Sequence, residues 1–182
     1  MYQYRDYALW QRNFNRSNKY GIQRSYWKDK LKGGEAITFF ERTGQGYDKY
    51  SFSGSTIKTL LEQQETLQLK KLSDAFNSTL YTNAMAICGI VFYKYSGKND
   101  LIIGTGVSGR RHDDLVNIPG MFINMVAIRS FLNGEKAFSD YLREVRQNVI
   151  EGFENQDYQF EDIISDLKIE RKAQRNPLIN VS

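Results

Sequence analysis

DLIIGTGVSGRRHDDLVNIPGMFINMVAIRSFL, residues 100–132, decides the fold. After Asp100, the run LIIGTGVSG is short, apolar and rich in β-branched residues, and it stops at Gly109, which reads as a buried strand. A polar connection from Arg110 to Asn117 leads through Pro119 and Gly120 to a second apolar run, Phe122 to Leu132. That run reads as another long strand and closes at the turn pair Asn133 and Gly134.

Helical patterns flank the two strands. Downstream, Leu142, Val145, Val149 and Phe153 recur at helical intervals on a charged background, predicting a surface helix from Ser139 to Asn155. A short helix, Phe160 to Leu167, follows. The tail from Asn176 to Ser182 turns apolar after Pro177 at Leu178, Ile179 and Val181, and is expected to be the start of a strand. Upstream, Ser78 or Thr79 caps a helix that runs through Ala84, Ile87, Ile90, Val91 and Tyr95 to Gly97. It is apolar nearly all round, so a central position is expected. A preceding helix carries Leu67, Leu72, Ala75 and Phe76 on one side and stops near Asn77. From Ile37 to Gly54 the pattern predicts loop, with a short edge strand at Tyr47 to Phe52. Tyr4 to Leu31 reads as an aromatic helical region ended by Gly33 and Gly34, with Tyr7 and Trp10 expected in the core.

Composition bounds the class. At 182 residues, 41% hydrophobic and 14% aromatic, the chain is too rich in large apolar groups to be disordered. Its basic and acidic residues, 25 against 21, are interspersed, and the basic clusters at 28–32, 110–111 and 171–175 do not interleave with aromatics as base stacking requires. Nucleic acid is therefore not an expected partner. Cys88 is the single cysteine and sits in an apolar stretch, which predicts a buried, inert thiol in a reducing cytoplasm. The polar, aromatic start has no secretory h-region. The most apolar run, Ala84 to Tyr93, is about half of the ~20 residues that span a bilayer, so no membrane segment is expected.

The residues taken alone offer no self-contained active site. His112, in RRHDD, is the single histidine, and it reads as a loop residue. There is no Cys/His metal constellation. The glycines of IIGTGVSG lack both the full dinucleotide pattern and the P-loop Lys-Ser/Thr, so they read as packing positions inside a sheet. The acidic pairs Asp113/Asp114 and Glu161/Asp162 are adjacent in sequence and do not face a common point.

The order of motifs adds a resemblance. Tyr4, Asp6, Tyr7, Ala8 and Trp10 resemble a Tyr-x-Asp-Phe/Tyr-Ala-x-Trp motif. YSGKNDLIIGTGVSGR is similar to a stretch around Gly-Thr-Pro-Val-x-Gly-Arg. Ile118, Gly120, Phe122, Asn124 and Arg129 resemble Ile-Gly-x-Phe-Val-Asn-Thr with its closing arginine. Asn155, Gln156, Asp157, Tyr158, Phe160 and Glu161 look like His/Asn-Gln-Asp-x-Pro-Phe-Glu, and Arg175, Asn176, Pro177 and Leu178 look like the closing Ser-Arg-Asn-Pro-Leu. Together they resemble the condensation domain of nonribosomal peptide synthetases, with small departures at Gly106, Met125 and Gln159.

The resemblance implies an α/β fold, a chloramphenicol acetyltransferase-like lobe with a mixed sheet flanked by helices, the C-terminal half of a two-lobed domain. Residues 1–182 would be that lobe, with 1–34 as the helical linker region entering it. The family's His-His-x-x-x-Asp-Gly motif lies upstream of the Tyr-x-Asp motif at which this chain begins. The N-terminal lobe is thus expected to be absent and the isolated chain inactive, with no catalytic residue of its own.

The activity implied is peptide-bond formation between acyl and aminoacyl thioesters held on phosphopantetheine of carrier proteins, with no cofactor bound directly and no metal. Implied partners are the N-terminal condensation lobe and the peptidyl carrier and adenylation domains, with self-association through an exposed lobe face. The candidates for the substrate tunnel or lobe interface are Asn124, Met125, Arg129, Arg110, Gln156 and Asp157. Strand alternation puts Asn124 and Met125 on opposite faces. Arg129 and Arg110 are candidates to pair with acids of the other lobe, and Gln156 and Asp157 to brace the tunnel wall. Alternatives are a non-catalytic carrier- or domain-binding module and a heterocyclisation relative.

Overall fold

The computed structural model describes residues 2–36, 54–170 and 176–182. The expected edge strand at 47–52, the basic run 171–175 and Arg175 of the closing motif lie outside the described residues.

Helix α1 (Tyr4–Phe14) opens with a capping box, in which the Asp6 carboxylate accepts the Gln3 backbone N–H at 2.8 Å. Ser17 then caps α2 (Asn18–Leu31), its hydroxyl accepting the Tyr20 N–H at 3.2 Å. Positions three and four apart, Tyr20, Gln23, Trp27 and Leu31, are the buried face of α2. Gly33 ends it in the left-handed region, φ +69°, as its place after a helix predicts. Helix α3 (Gln63–Ala75) is joined to α4 (Leu80–Ser96) by a buried amide: Asn83 donates to the Ser73 hydroxyl at 2.8 Å and accepts from Ser78 at 2.7 Å. Thr79 caps α4, and Gly97, at φ 69°, terminates it.

Strand β1 (Asp100–Val107) pairs antiparallel with β2 (Asn124–Phe131), in a register that sets Ile102 against Arg129 and Val107 against Asn124. Among the described residues these two strands form the sheet. Helices α5 (Phe138–Glu154) and α6 (Phe160–Asp166) complete the described elements. Val126 to Ser130 are all buried, so the sheet is covered on both faces. One face takes α5, where Gly152 lies so near Val126 and Ile128 that an added Cβ would sit about 3 Å from each. The other takes the chain end, where a Cβ on Gly104 would meet Ile179 Cγ2 at 2.5 Å. Glycine in β1 therefore permits close packing, as expected.

The tail is not a strand. Asn176 Oδ1 accepts from the backbone N–H of Leu178 and Ile179, which turns the chain and buries both side chains, and the Gly104 N–H donates to Val181 O at 2.8 Å. Helix α4 is not central either. Met85, Ala86 and Gly89 pack inward, while Leu80, Ile87, Val91 and Tyr95 are exposed, and with them Cys88, whose thiol is not buried. Composition alone shows that α4 is apolar all round but does not show whether both faces have something to pack on.

Arg129 ties three elements together. Its guanidinium forks onto Asp100 at 2.8 and 2.7 Å and donates to the backbone carbonyls of Lys30 and Lys32 at 3.1 and 2.8 Å. The ends of β1, β2 and α2 thus meet on one planar group. Helix α6 is held to α2 by carboxylates: Tyr20 donates to Asp162, and Asp166 accepts from Tyr158 and from the Arg24 fork. Burial first, then the adjacent carboxylates, raises both phenols above their ordinary range, so both remain donors.

Arg129→Met leaves Asp100 and two carbonyls without a partner and is expected to cost about 3 kcal/mol in urea unfolding, with Arg129→Lys in between. Gly89→Ala would place a Cβ 2.0 Å from the Tyr141 hydroxyl and is expected to lower stability by about 1–3 kcal/mol. Gly106→Ala has open space and should be neutral or slightly stabilising in the same measurement.

Candidate functional site

The site is assembled around Asn124, buried at the first position of β2. Its amide donates to the carbonyls of Gln156 and Tyr158, both at 2.8 Å, and its oxygen accepts the N–H of Met125 at 2.9 Å and of Phe160 at 3.1 Å. Both ends of the amide are satisfied within the chain, and the connection between α5 and α6 is fixed to the sheet. From α2, Gln23 accepts the Tyr158 N–H at 2.9 Å and Trp27 donates to Asn155 O at 2.9 Å. Gln156 turns back to Phe153 O at 2.6 Å. Asp157 is left on the open side of this clamped loop, accepting from Arg111 at 2.7 Å and from Gln23 at 3.3 Å.

The connection between the strands forms the facing wall. Gly109, at φ +65°, passes so close to Phe122 O that a Cβ would lie 2.0 Å away, so no other residue fits. Arg110 folds back over its own loop, donating to the carbonyls of Leu115, Ile118 and Gly120, with its guanidinium 4.1 Å from the Phe122 ring centre. Its partners are therefore backbone oxygens rather than acids. Arg111 points the other way, to Asp157. His112 caps the 3-10 turn Asp113–Leu115, its Nδ1 accepting the Asp114 N–H at 3.3 Å, and its side chain is exposed, the loop role expected.

Helix α1 supplies the third wall, and here the structure corrects the expectation. Tyr7 and Trp10 are not core residues: no residue of α1 is buried, and Trp10 is 50% exposed. The aromatics spaced three and four along the helix instead form a ladder. Tyr4 and Tyr7 meet Phe122 at 5.2 and 4.5 Å, Tyr7 stacks on Trp10 at 5.6 Å, and Trp10 on Phe14 at 5.2 Å. Tyr4 donates to Met121 O at 2.8 Å, fixing the helix to the loop.

Between α1, the loop after β1 and Asp157 lies a cavity of about 510 Å³. Tyr7, Trp10, Phe14, Leu115 and Ile118 line it together with the Arg111–Asp157 pair, and Asp6, Lys19, His112 and Asp114 add polar lining. Burial, followed by the charge of Asp157, raises the Tyr7 phenol above its ordinary value, so it stays protonated. The arrangement can bind and orient an apolar group. It holds no paired nucleophile and base. Among the described residues, no group of three or more His, Cys, Asp or Glu side chains is placed to hold a metal ion, and no helix is long and apolar enough to cross a membrane.

Of the six candidates, Asp157 lines this cavity, Asn124 and Gln156 hold the loop that carries it, and Arg110 folds over the facing loop. Met125 and Arg129 share the opposite face of β2. Arg111, Trp10 and Phe14 were not among them, although the three- and four-residue spacing of aromatics in 4–14 was a readable signal for the ladder.

A family model described as condensation domain matches residues 1–182. The chain is 38% identical over 179 residues to a plipastatin synthase of Bacillus subtilis (strain 168), and 34% identical over 178 residues to bacitracin synthase 3 of Bacillus licheniformis. Each alignment takes in 98% of this chain, which spans only 7% and 3% of the relatives' own length. Among solved structures, the X-domain from teicoplanin biosynthesis matches with a TM-score of 0.83 at 21% identity, over 99% of this chain and 41% of that one. That likeness establishes that the two share a fold. With a family match along its full length, this chain belongs to the condensation domain family.

Proposed function

We propose that the chain is the C-terminal lobe of a condensation domain, residues 1–182 with 1–34 as the region entering it, and forms one wall of a tunnel in which a peptide bond is made. The observation that carries the reading is convergence. Tyr7 and Trp10 of the first motif, Gly109 and Ile118 of the middle ones, and Asp157 of the fourth lie far apart in sequence and line one cavity.

In this reading the substrates are an acyl and an aminoacyl thioester on the phosphopantetheine arms of carrier proteins, in a cytoplasmic synthetase that also contains adenylation domains. The amine attacks the thioester carbonyl, the C–N bond forms, the C–S bond breaks, and the amine proton leaves to the departing thiol. The histidine motif that serves this step belongs to the first lobe. His112, exposed and engaged with its own turn, is not a substitute. The contribution of this chain is positional. Asn124 and Gln156 hold the 155–160 loop, Arg110 shapes the facing loop, and Asp157 and Arg111 bridge the two. Effective molarity rather than covalent chemistry is what such a wall supplies.

Mixing the chain with a first lobe bearing His-His-x-x-x-Asp-Gly and two loaded carriers is expected to give dipeptide, detected by mass spectrometry, while either lobe alone gives none. Product would exclude a purely carrier-binding module. Its absence, with both lobes folded and associated, would reject the proposal. The exposed α4 residues Leu80, Ile87, Val91 and Tyr95 make an apolar face. Light scattering of the chain alone should therefore show a mass above that of the monomer, rising with concentration.

A further inference from the structure

We propose that the cavity between α1 and the 109–118 loop is a side-chain pocket selecting a large uncharged aromatic side chain on a carrier-bound aminoacyl group. The inference rests on the reading of the chain as a condensation lobe and adds the class of substrate that its wall prefers.

Trp10 is in an unusual state. It lies between Tyr7 and Phe14 with interplanar angles of 27° and 16°, so three nearly parallel rings present a continuous apolar surface, yet Trp10 is half exposed. The ladder is anchored at its inner end, where Phe14 meets Tyr20 at 5.8 Å and Tyr20 meets Tyr158 at 4.5 Å. The surface is therefore preformed, and an incoming ring packs against its open edge without the rings having to be ordered first. The volume, about 510 Å³, falls within the ordinary range for small-ligand sites.

Charge favours the same class of side chain. The lining carboxylates are paired, hydrogen-bonded or open to water: Asp157 holds Arg111 at 2.7 Å, Asp6 accepts the Gln3 N–H at 2.8 Å, and the Asp114 side chain is exposed. Lys19 is exposed to solvent, where its charge is screened. An acidic side chain entering the cavity would lose water with the Arg111 charge already held by Asp157, while an aromatic one loses nothing polar.

The test is a titration of the chain, with 15N-labelled tryptophan, by L-phenylalanyl-pantetheine amide and by L-glutamyl-pantetheine amide. The two indole signals separate the site from the core, because Trp27 is buried with its N–H on Asn155 O and Trp10 faces the cavity. The phenylalanyl probe is expected to bind at least tenfold more tightly and to shift the Trp10 signal while leaving that of Trp27 in place. Trp10→Ala and, independently, Leu115→Asp on the facing wall should each weaken it about tenfold or more, with circular dichroism confirming the fold. Equal affinity for the two probes, or an unmoved Trp10 signal on saturation, overturns the pocket. Selective binding without dipeptide formation in the two-lobe assay would leave the pocket standing and reject the reaction. Dipeptide formation with no selectivity would reject the pocket alone.

Discussion

The fork of Arg129 is the contact on which the remaining architecture depends. A two-stranded sheet is marginal by itself, and this one gains its place because one buried guanidinium joins Asp100 at the start of β1 to the last carbonyls of α2. The carbonyl of Arg129 is also used, accepting from Asn148 of α5 at 2.7 Å. Sheet, entering helices and covering helix are thereby held in one register. Lysine, a point charge, reproduces the sign but not the planar geometry.

Asn124 does for the site what Arg129 does for the frame. Three of its four hydrogen bonds hold the α5–α6 connection against the start of β2, so that Asp157 projects from this held loop toward Arg111. The motif residues divide accordingly. Asn124, Gly109, Arg110, Gln156 and Asn176 are engaged with backbone, and a smaller set, Tyr7, Trp10 and Asp157, faces open space. In the proposed reading a conformationally fixed wall is the contribution of this chain, since orientation is lost if the loops move.

Much of the fold was legible from local signals. Thr79 and Gly97 bound α4, the apolar repeat of Leu142, Val145 and Val149 gives the buried side of α5, and the runs at 100–107 and 124–131 are the paired strands. The misreadings share a cause. Apolar character predicts burial for Cys88, Tyr7 and Trp10, but it states a preference and not whether an opposing surface exists. Within this chain Arg110 is engaged with backbone carbonyls and Arg129 with Asp100 and the carbonyls that end α2.

By itself, the sequence determined the helices, the two strands, the aromatic spacing of α1 and the motif order that resembles a condensation domain, since each is written in neighbours a few residues apart. Tertiary structure decided which of those residues are scaffold and which are surface. Asn124 and Trp10 look alike as motif positions, yet one is enclosed by four backbone partners while the other stands half open beside a cavity. That distinction depends on segments more than thirty residues away in the chain, and no local pattern encodes their distance in space.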